Sequence, residues 1–167
     1  MSSSSLATAL SLWESWRGSK KAPTWQDVEL YEFPSSLLPM VTVVDVLDDG
    51  RDFKYRFWGS ELSRLFGREE TGLLLSEHAV SESGKIRFSQ FKEVISRFQP
   101  ALFMTIFEKS EGSIAKKLNL RLPIADEPDK VTKIITLSTI QRIGLQNHEI
   151  LSELWLGELE AEDPAET

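Results

Sequence analysis

The stretch from Leu37 to Leu75, LLPMVTVVDVLDDGRDFKYRFWGSELSRLFGREETGLLL, constrains the fold more than any other part of this chain. Met40 to Leu47 is rich in Val and Thr, Asp48-Asp49-Gly50 supplies turn residues, and Arg51 to Trp58 alternates Phe53, Tyr55 and Phe57 with polar neighbours. Two such runs joined by Asp-Asp-Gly predict a β-hairpin. Gly59-Ser60 ends the second strand and Ser60 is placed to cap a helix. Leu62, Leu65 and Phe66 then recur at helical spacing until Gly67 stops the helix.

Upstream, Leu6, Ala9, Leu10, Trp13 and Trp16 fall on one helical face, with Gly18 where a C-terminal cap belongs. Lys20 to Pro23 breaks this leader helix, and Thr24 with Asp27 predicts a short turn carrying Trp25 and Val28. Phe33-Pro34 through Pro39 is held extended, because residues before proline avoid the helical region. Leu73 to Ser83 has no clean period and reads as irregular, with a turn or two of helix. In Gly84 to Gln99, Ile86, Phe88, Phe91, Val94, Ile95 and Phe98 mark a long amphipathic helix that Pro100 cannot continue.

Three strands follow, Ala101–Glu108, Ile114–Ile124 and Val131–Ile143, separated by the turns Ser110-Glu111-Gly112 and Asp126-Glu127-Pro128-Asp129. Two strands, helices and three strands predict an α+β fold: a five-stranded antiparallel sheet with its helices on one face, plus the N-terminal amphipathic helix. The cone-shaped α+β fold of small hydrolases and isomerases is the alternative, and it needs a different element order. The expected divisions are 1–22 for the helix and linker, 23–145 for the domain, and 146–167 for an extension ending in an acidic, solvated tail (Glu153, Glu158, Glu160, Glu162, Asp163, Glu166).

Motifs at fixed places in this frame carry a resemblance. Trp13 with Arg17-Gly18 forms W-x-x-x-R-G, Leu37-Leu38-Pro39 precedes the first strand, Tyr55-Arg56 with Gly59 forms Y-R-x-x-G, and Phe66-Gly67 with Thr71-Gly72 forms F-G-x-x-x-T-G. In these the chain resembles a family of short bacterial PAS-like proteins found chiefly in alphaproteobacteria. The motifs cover the first half; the second half agrees in strand order. The resemblance implies a PAS-like fold and a sensory or protein-interaction role, and it names no chemistry, since most such proteins have no assigned ligand.

At 167 residues and 41% hydrophobic content the chain suffices for one ordinary core. A net charge of −7 argues against nucleic acid and anionic membrane surfaces, which are bound through clustered Lys and Arg. With no cysteine there is no disulfide, thiolate metal site or cysteine nucleophile. The chain shows no secretory leader and no apolar run of spanning length, so the expected compartment is the cytoplasm.

The polar candidates have plain structural roles available. His78 precedes the long helix, where haem-binding PAS domains place an axial ligand, but SEHAVSESG reads as a polar surface loop; His148 reads likewise. The cofactor expectation is therefore open, with haem disfavoured, while covalent flavin chemistry requires a cysteine the chain lacks. Arg56 suits a salt bridge or a carbonyl clamp, or pairing with a ligand carboxylate. Asp45, inside an apolar strand, suits pairing with a neighbouring Arg or Lys, and in the rival enzyme reading Asp45 or His78 is the general base. No catalytic constellation or metal cluster accompanies either. The Gly67 to Gly72 loop, GREETG, is explained by a helix cap and a turn, and its acidic pair would repel a phosphate.

The resemblance places any ligand pocket between the inner sheet face and the helices. The expected lining is Tyr55, Phe57, Leu65, Phe91, Ile95, Leu118, Leu120 and Leu122, with Arg56 as anchor, which implies a small apolar or carboxylate ligand. A one-residue step in register would exchange neighbours along each strand. The other sheet face is also apolar and needs a cover. The leader helix supplies it within the chain or, through Leu6, Leu10, Trp13 and Trp16, across a homodimer. The expected function is a non-catalytic sensory module that signals by touching a protein partner, since no effector region fits in the remaining chain.

Overall fold

The computed structural model describes residues 2–78, 81–108 and 114–142. The expected Ser110-Glu111-Gly112 turn, His148, the last residue of the strand drawn to Ile143 and the acidic tail lie outside the described residues.

The main elements are α1 (Ser2–Arg17), β1 (Thr42–Leu47), β2 (Asp52–Trp58), α2 (Ser60–Phe66), α3 (Glu82–Arg97), β3 (Ala101–Glu108), β4 (Ile114–Ile124) and β5 (Lys133–Arg142). The five strands form one antiparallel sheet in the order β2-β1-β5-β4-β3. The β1–β2 turn is tight: Asp48, Asp49 and Gly50 all have positive φ, and Asp tolerates that conformation better than most side chains. α3 begins two residues before the expected Gly84, because the Ser81 hydroxyl accepts from the Gly84 amide at 3.0 Å and caps the first turn.

Two motifs distant in sequence meet at Gly59. A Cβ there would sit 2.2 Å from the Pro39 carbonyl oxygen, and the Gly59 amide donates to Val41 O at 2.8 Å. Only glycine lets the end of β2 lie against the Leu-Leu-Pro segment that leads into β1.

Helices cover both faces of the sheet: α2 and α3 lie on one, and the leader helix α1 covers the other within its own chain, the first of the two arrangements the sequence leaves open. On the inner face, Leu62 of α2 and Phe91 and Val94 of α3 pack with Val44, Phe53, Tyr55, Trp58 and Ile134. On the outer face, Leu6, Ala9 and Trp13 of α1 pack with Val43, Leu120, Leu122, Ile135 and Leu137. The Trp13 indole N–H donates to Pro123 O at 2.8 Å, so its one polar atom is satisfied while the ring is buried. Each large apolar side chain buried this way contributes about 1.5–3 kcal/mol before ordering costs.

The segment after α1 is fastened to the same sheet. Asp126 accepts from the Trp25 amide at 2.8 Å, the Lys133 ammonium at 2.6 Å and the Thr132 hydroxyl at 2.7 Å. Burial alone would raise the Asp126 carboxyl, but these three donors outweigh it and hold the group below its ordinary range.

Candidate functional site

Register fixes what the inner face presents, because residues directly opposite in an antiparallel ladder share a face. One transverse row runs Ala101, Arg121, Thr136, Thr42 and Trp58 across all five strands. The next holds Phe103, Asn119 and Ser138, and the one after it Thr105, Lys117 and Ile140. Thr42, Thr105, Asn119, Arg121, Thr136 and Ser138 are all buried. A polar band thus lies under the helices, beside an apolar zone of Val44, Phe53 and Ile134.

Several of these groups are positioned by one another. The Arg121 guanidinium lies 4.4 Å from the Phe91 ring centroid; it donates to Gln90 Oε1 at 2.7 and 3.0 Å and to Thr136 Oγ1 at 2.7 Å. The Ser138 hydroxyl donates to Asn119 Oδ1 at 2.7 Å. Trp58 closes the Arg121 row, edge-on to Tyr55 with ring centroids 5.0 Å apart. Its indole N–H is buried and has no hydrogen-bond acceptor among the described residues.

A charged cluster borders this band. Glu70 is fully buried, with Arg87 Nη1 at 3.3 Å from Oε2 and Arg68 Nη2 at 2.7 Å from Oε1, the latter an ion contact without hydrogen-bond alignment. Arg87 Nη1 also donates to the Tyr55 hydroxyl at 3.0 Å. Burial pushes the Tyr55 phenol above its ordinary value, so this Tyr stays neutral well into the alkaline range. The loop read from sequence as a cap and a turn therefore ties itself to β2 and α3 through one carboxylate.

Of the expected lining, Tyr55, Leu65, Phe91 and Ile95 do meet on the inner face. Leu118, Leu120 and Leu122 do not. They belong to the outer face under α1, and the inner positions of β4 are Lys117, Asn119 and Arg121. Phe57 also points outward: a bulge pairs Val43 with Phe57 but Val44 with Tyr55, so Tyr55 and Trp58 both face in while Phe57 stands 43% exposed.

Arg56 is not beside this band; its Nε donates to Asp45 Oδ1 at 2.9 Å, so the two polar residues singled out in the hairpin pair with each other. Leu6 and Trp13, expected at a dimer face, are buried within their own chain, and Leu10 and Trp16 pack half-buried against the same cluster. His78 ends a short turn, Leu75–His78, and its side chain lies outside the described residues.

The residues missed from sequence had a signal. In Lys117-Leu118-Asn119-Leu120-Arg121-Leu122 the polar set is as regular as the apolar set. Once α1 takes the leucines, the polar residues must lie under α3. Among the described residues no three His, Cys, Asp or Glu side chains are placed to hold a metal ion, and no helix is long and apolar enough to cross a membrane.

The family model for the PAS domain matches residues 1–138, so the chain belongs to the PAS domain family, and its class of role is sensory signalling. Solved structures similar to it include a LOV protein of Rhodobacter sphaeroides, at 13% identity and a TM-score of 0.43 over 67% of this chain and 64% of that one. A fungal LOV domain photoreceptor shows 16% identity and a TM-score of 0.43, over 68% of this chain and 80% of the other. The PAS domain from the fruit-fly ELK potassium channel shows 16% identity and a TM-score of 0.45, over 72% and 98%. This chain thus spans less than two thirds of the Rhodobacter LOV protein. No curated protein sequence matches it.

Proposed function

We propose that this chain is a non-catalytic PAS module that holds a small polar ligand against the inner face of its sheet and relays its presence to a protein partner in the cytoplasm. The observation that carries the proposal is the buried row Arg121, Thr136, Thr42 and Trp58, ending in an indole donor with no acceptor among the described residues. A core built for stability alone is apolar, and a buried donor left unpaired costs about 1–3 kcal/mol. A bound molecule with a carbonyl or carboxylate oxygen would remove that cost.

The ligand chemistry is accordingly polar, in place of the apolar molecule implied by a leucine-lined pocket. The rival enzyme reading rests on Asp45 or His78 as a general base; Asp45 is on the outer side of the hairpin with its carboxylate engaged by Arg56, and the His78 side chain lies outside the described residues. The division into 1–22, 23–145 and 146–167 stays part of the proposal, with α1 serving as the cover of the outer face.

Native mass spectrometry of the purified full chain and of Trp58→Phe tests the reading. A small molecule retained by the former and lost by the latter is the expected result. The proposal fails if neither retains one and the indole N–H resonance of Trp58 proves to be hydrogen-bonded to the protein itself.

A further inference from the structure

Among the described residues the two edges of the sheet are finished differently. β2 carries Lys54 and Arg56, and the segment after α2 covers its backbone: the Tyr55 amide donates to Leu73 O at 3.0 Å, the Gly72 amide donates to Tyr55 O at 2.7 Å, and Lys54 bridges to Leu74. β3 pairs with β4 alone. Its sequence ALFMTIFE holds no Lys, Arg, Pro or Gly, and its one charge, Glu108, is the last residue. Leu102 and Met104 stand 58% and 42% exposed, on the α1 side opposite Leu120 and Leu118. Native sheets guard an edge with charge, proline, a bulge or a covering segment; among the described residues β2 has three of these and β3 has none.

We infer that β3 is the interface for a second copy of this chain, the two β3 strands pairing antiparallel about a twofold axis so that two sheets become one. The hydrophobic pattern selects the register. Centred on Phe103, the pairing sets Leu102 of each copy opposite Met104 of the other, and the four exposed apolar side chains then cover one another on the α1 side. Glu108 falls opposite Phe98 of the second copy, so no like charges face each other. A contact of this kind is self-complementary, as a twofold interface requires. It also differs from the dimer expected through α1, whose apolar face is used within its own chain. One short ladder with four side chains buries less than the roughly 800 Å² per partner of a standard interface. An interface of this size belongs with the weak, transient class, so the assays span about 10 to 300 μM.

The absence of cysteine makes the test direct. Leu102→Cys and Met104→Cys are prepared as separate full-length proteins, with Phe57→Cys on β2 as the control; all three positions are exposed, so the fold is retained, as far-UV circular dichroism checks. Residues directly opposite across a ladder have Cβ atoms about 4.5–5.5 Å apart, which a disulfide can close with a small adjustment. At about 200 μM, toward the top of the assay range, the Leu102→Cys and Met104→Cys mixture is expected to give a mixed disulfide several-fold faster than either alone. Phe57→Cys is expected to give none above background. Light scattering of the unmodified chain is expected to show mass rising toward the dimer with concentration, and Met104→Lys to abolish the rise. A chain that stays monomeric across that range, a dimer that survives Met104→Lys, or Phe57→Cys cross-linking as fast as the mixture overturns the inference.

Discussion

The two faces of the sheet are both covered by helices, yet they are built on different principles. Under α1 the outer face is mainly apolar: leucines of β4 and isoleucine and leucine of β5 meet Leu6, Ala9 and Trp13, and the Trp13 N–H ends on a carbonyl. The inner face mixes an apolar zone with the rows of Arg121, Asn119, Thr136 and Ser138. A face that only has to hold can be filled with hydrocarbon, whereas a buried polar row is expensive unless its groups are satisfied. On the proposed reading, the difference separates a structural face from a recognising one.

The sharpest test of that contrast is Trp13→Ala. It removes a buried aromatic and leaves Pro123 O without its donor, so a loss of about 3–5 kcal/mol is expected in urea unfolding, with ligand retention unchanged wherever the protein is folded. An unfolding midpoint near that of the parent would show that α1 is not the cover of the outer face. On the inner side, Glu70→Gln takes the charge from the contacts with Arg68 and Arg87, at an expected cost of about 1.5–3 kcal/mol in the same assay.

Arg121→Met reverses the pattern. The substitution takes the donors from Gln90 Oε1 and the buried Thr136 hydroxyl, so a loss of about 1–3 kcal/mol is expected in stability while the retained ligand is lost altogether. Full retention of ligand by this variant would place recognition elsewhere.

Smaller effects come from titration. Tyr55 keeps its proton in the folded chain at pH values where the unfolded chain loses it, because burial raises its pKa above the ordinary 10.0. Stability is therefore complete below about pH 10 and declines as the pH rises beyond it, and Tyr55→Phe should flatten that decline in pH-dependent denaturation. Asp27 titrates in the opposite sense. A hydrogen bond from Lys20, then those from the Thr24 amide and hydroxyl, lower its carboxyl from 3.8 to about 2. Its contribution is present above about pH 4 and fades as the pH falls toward 2; Asp27→Asn should remove that acid-limb dependence. Being near the surface, it is the smallest of these effects.

Much of the fold was legible along the chain, because its elements are marked locally. The Asp-Asp-Gly turn, the Gly67 helix stop and the 3.6-residue spacing of Phe88, Phe91, Val94 and Ile95 depend on neighbours a few residues away. The meeting of Pro39 with Gly59 shows why two separate motifs go together, although neither motif alone says so.

The candidate site was legible only in part. Alternation sorts a strand into two faces without saying which face meets which helix, and in β4 Leu120 and Leu122 are buried on one side while Asn119 and Arg121 are buried on the other, so the leucines were expected in the pocket. The bulge near Arg56 then turned Phe57 away from Tyr55 and Trp58 by displacing one residue. Glu70 reads as an exposed loop acid until its loop folds back onto Arg87 and Tyr55. By itself the sequence determined the strands, helices and turns, since these follow from spacing and backbone preference. Only the tertiary structure decided that the polar side of β4 lies under α3 and its leucines under α1, because that choice depends on which helix reaches which face, and contacts between segments distant in the chain settle it.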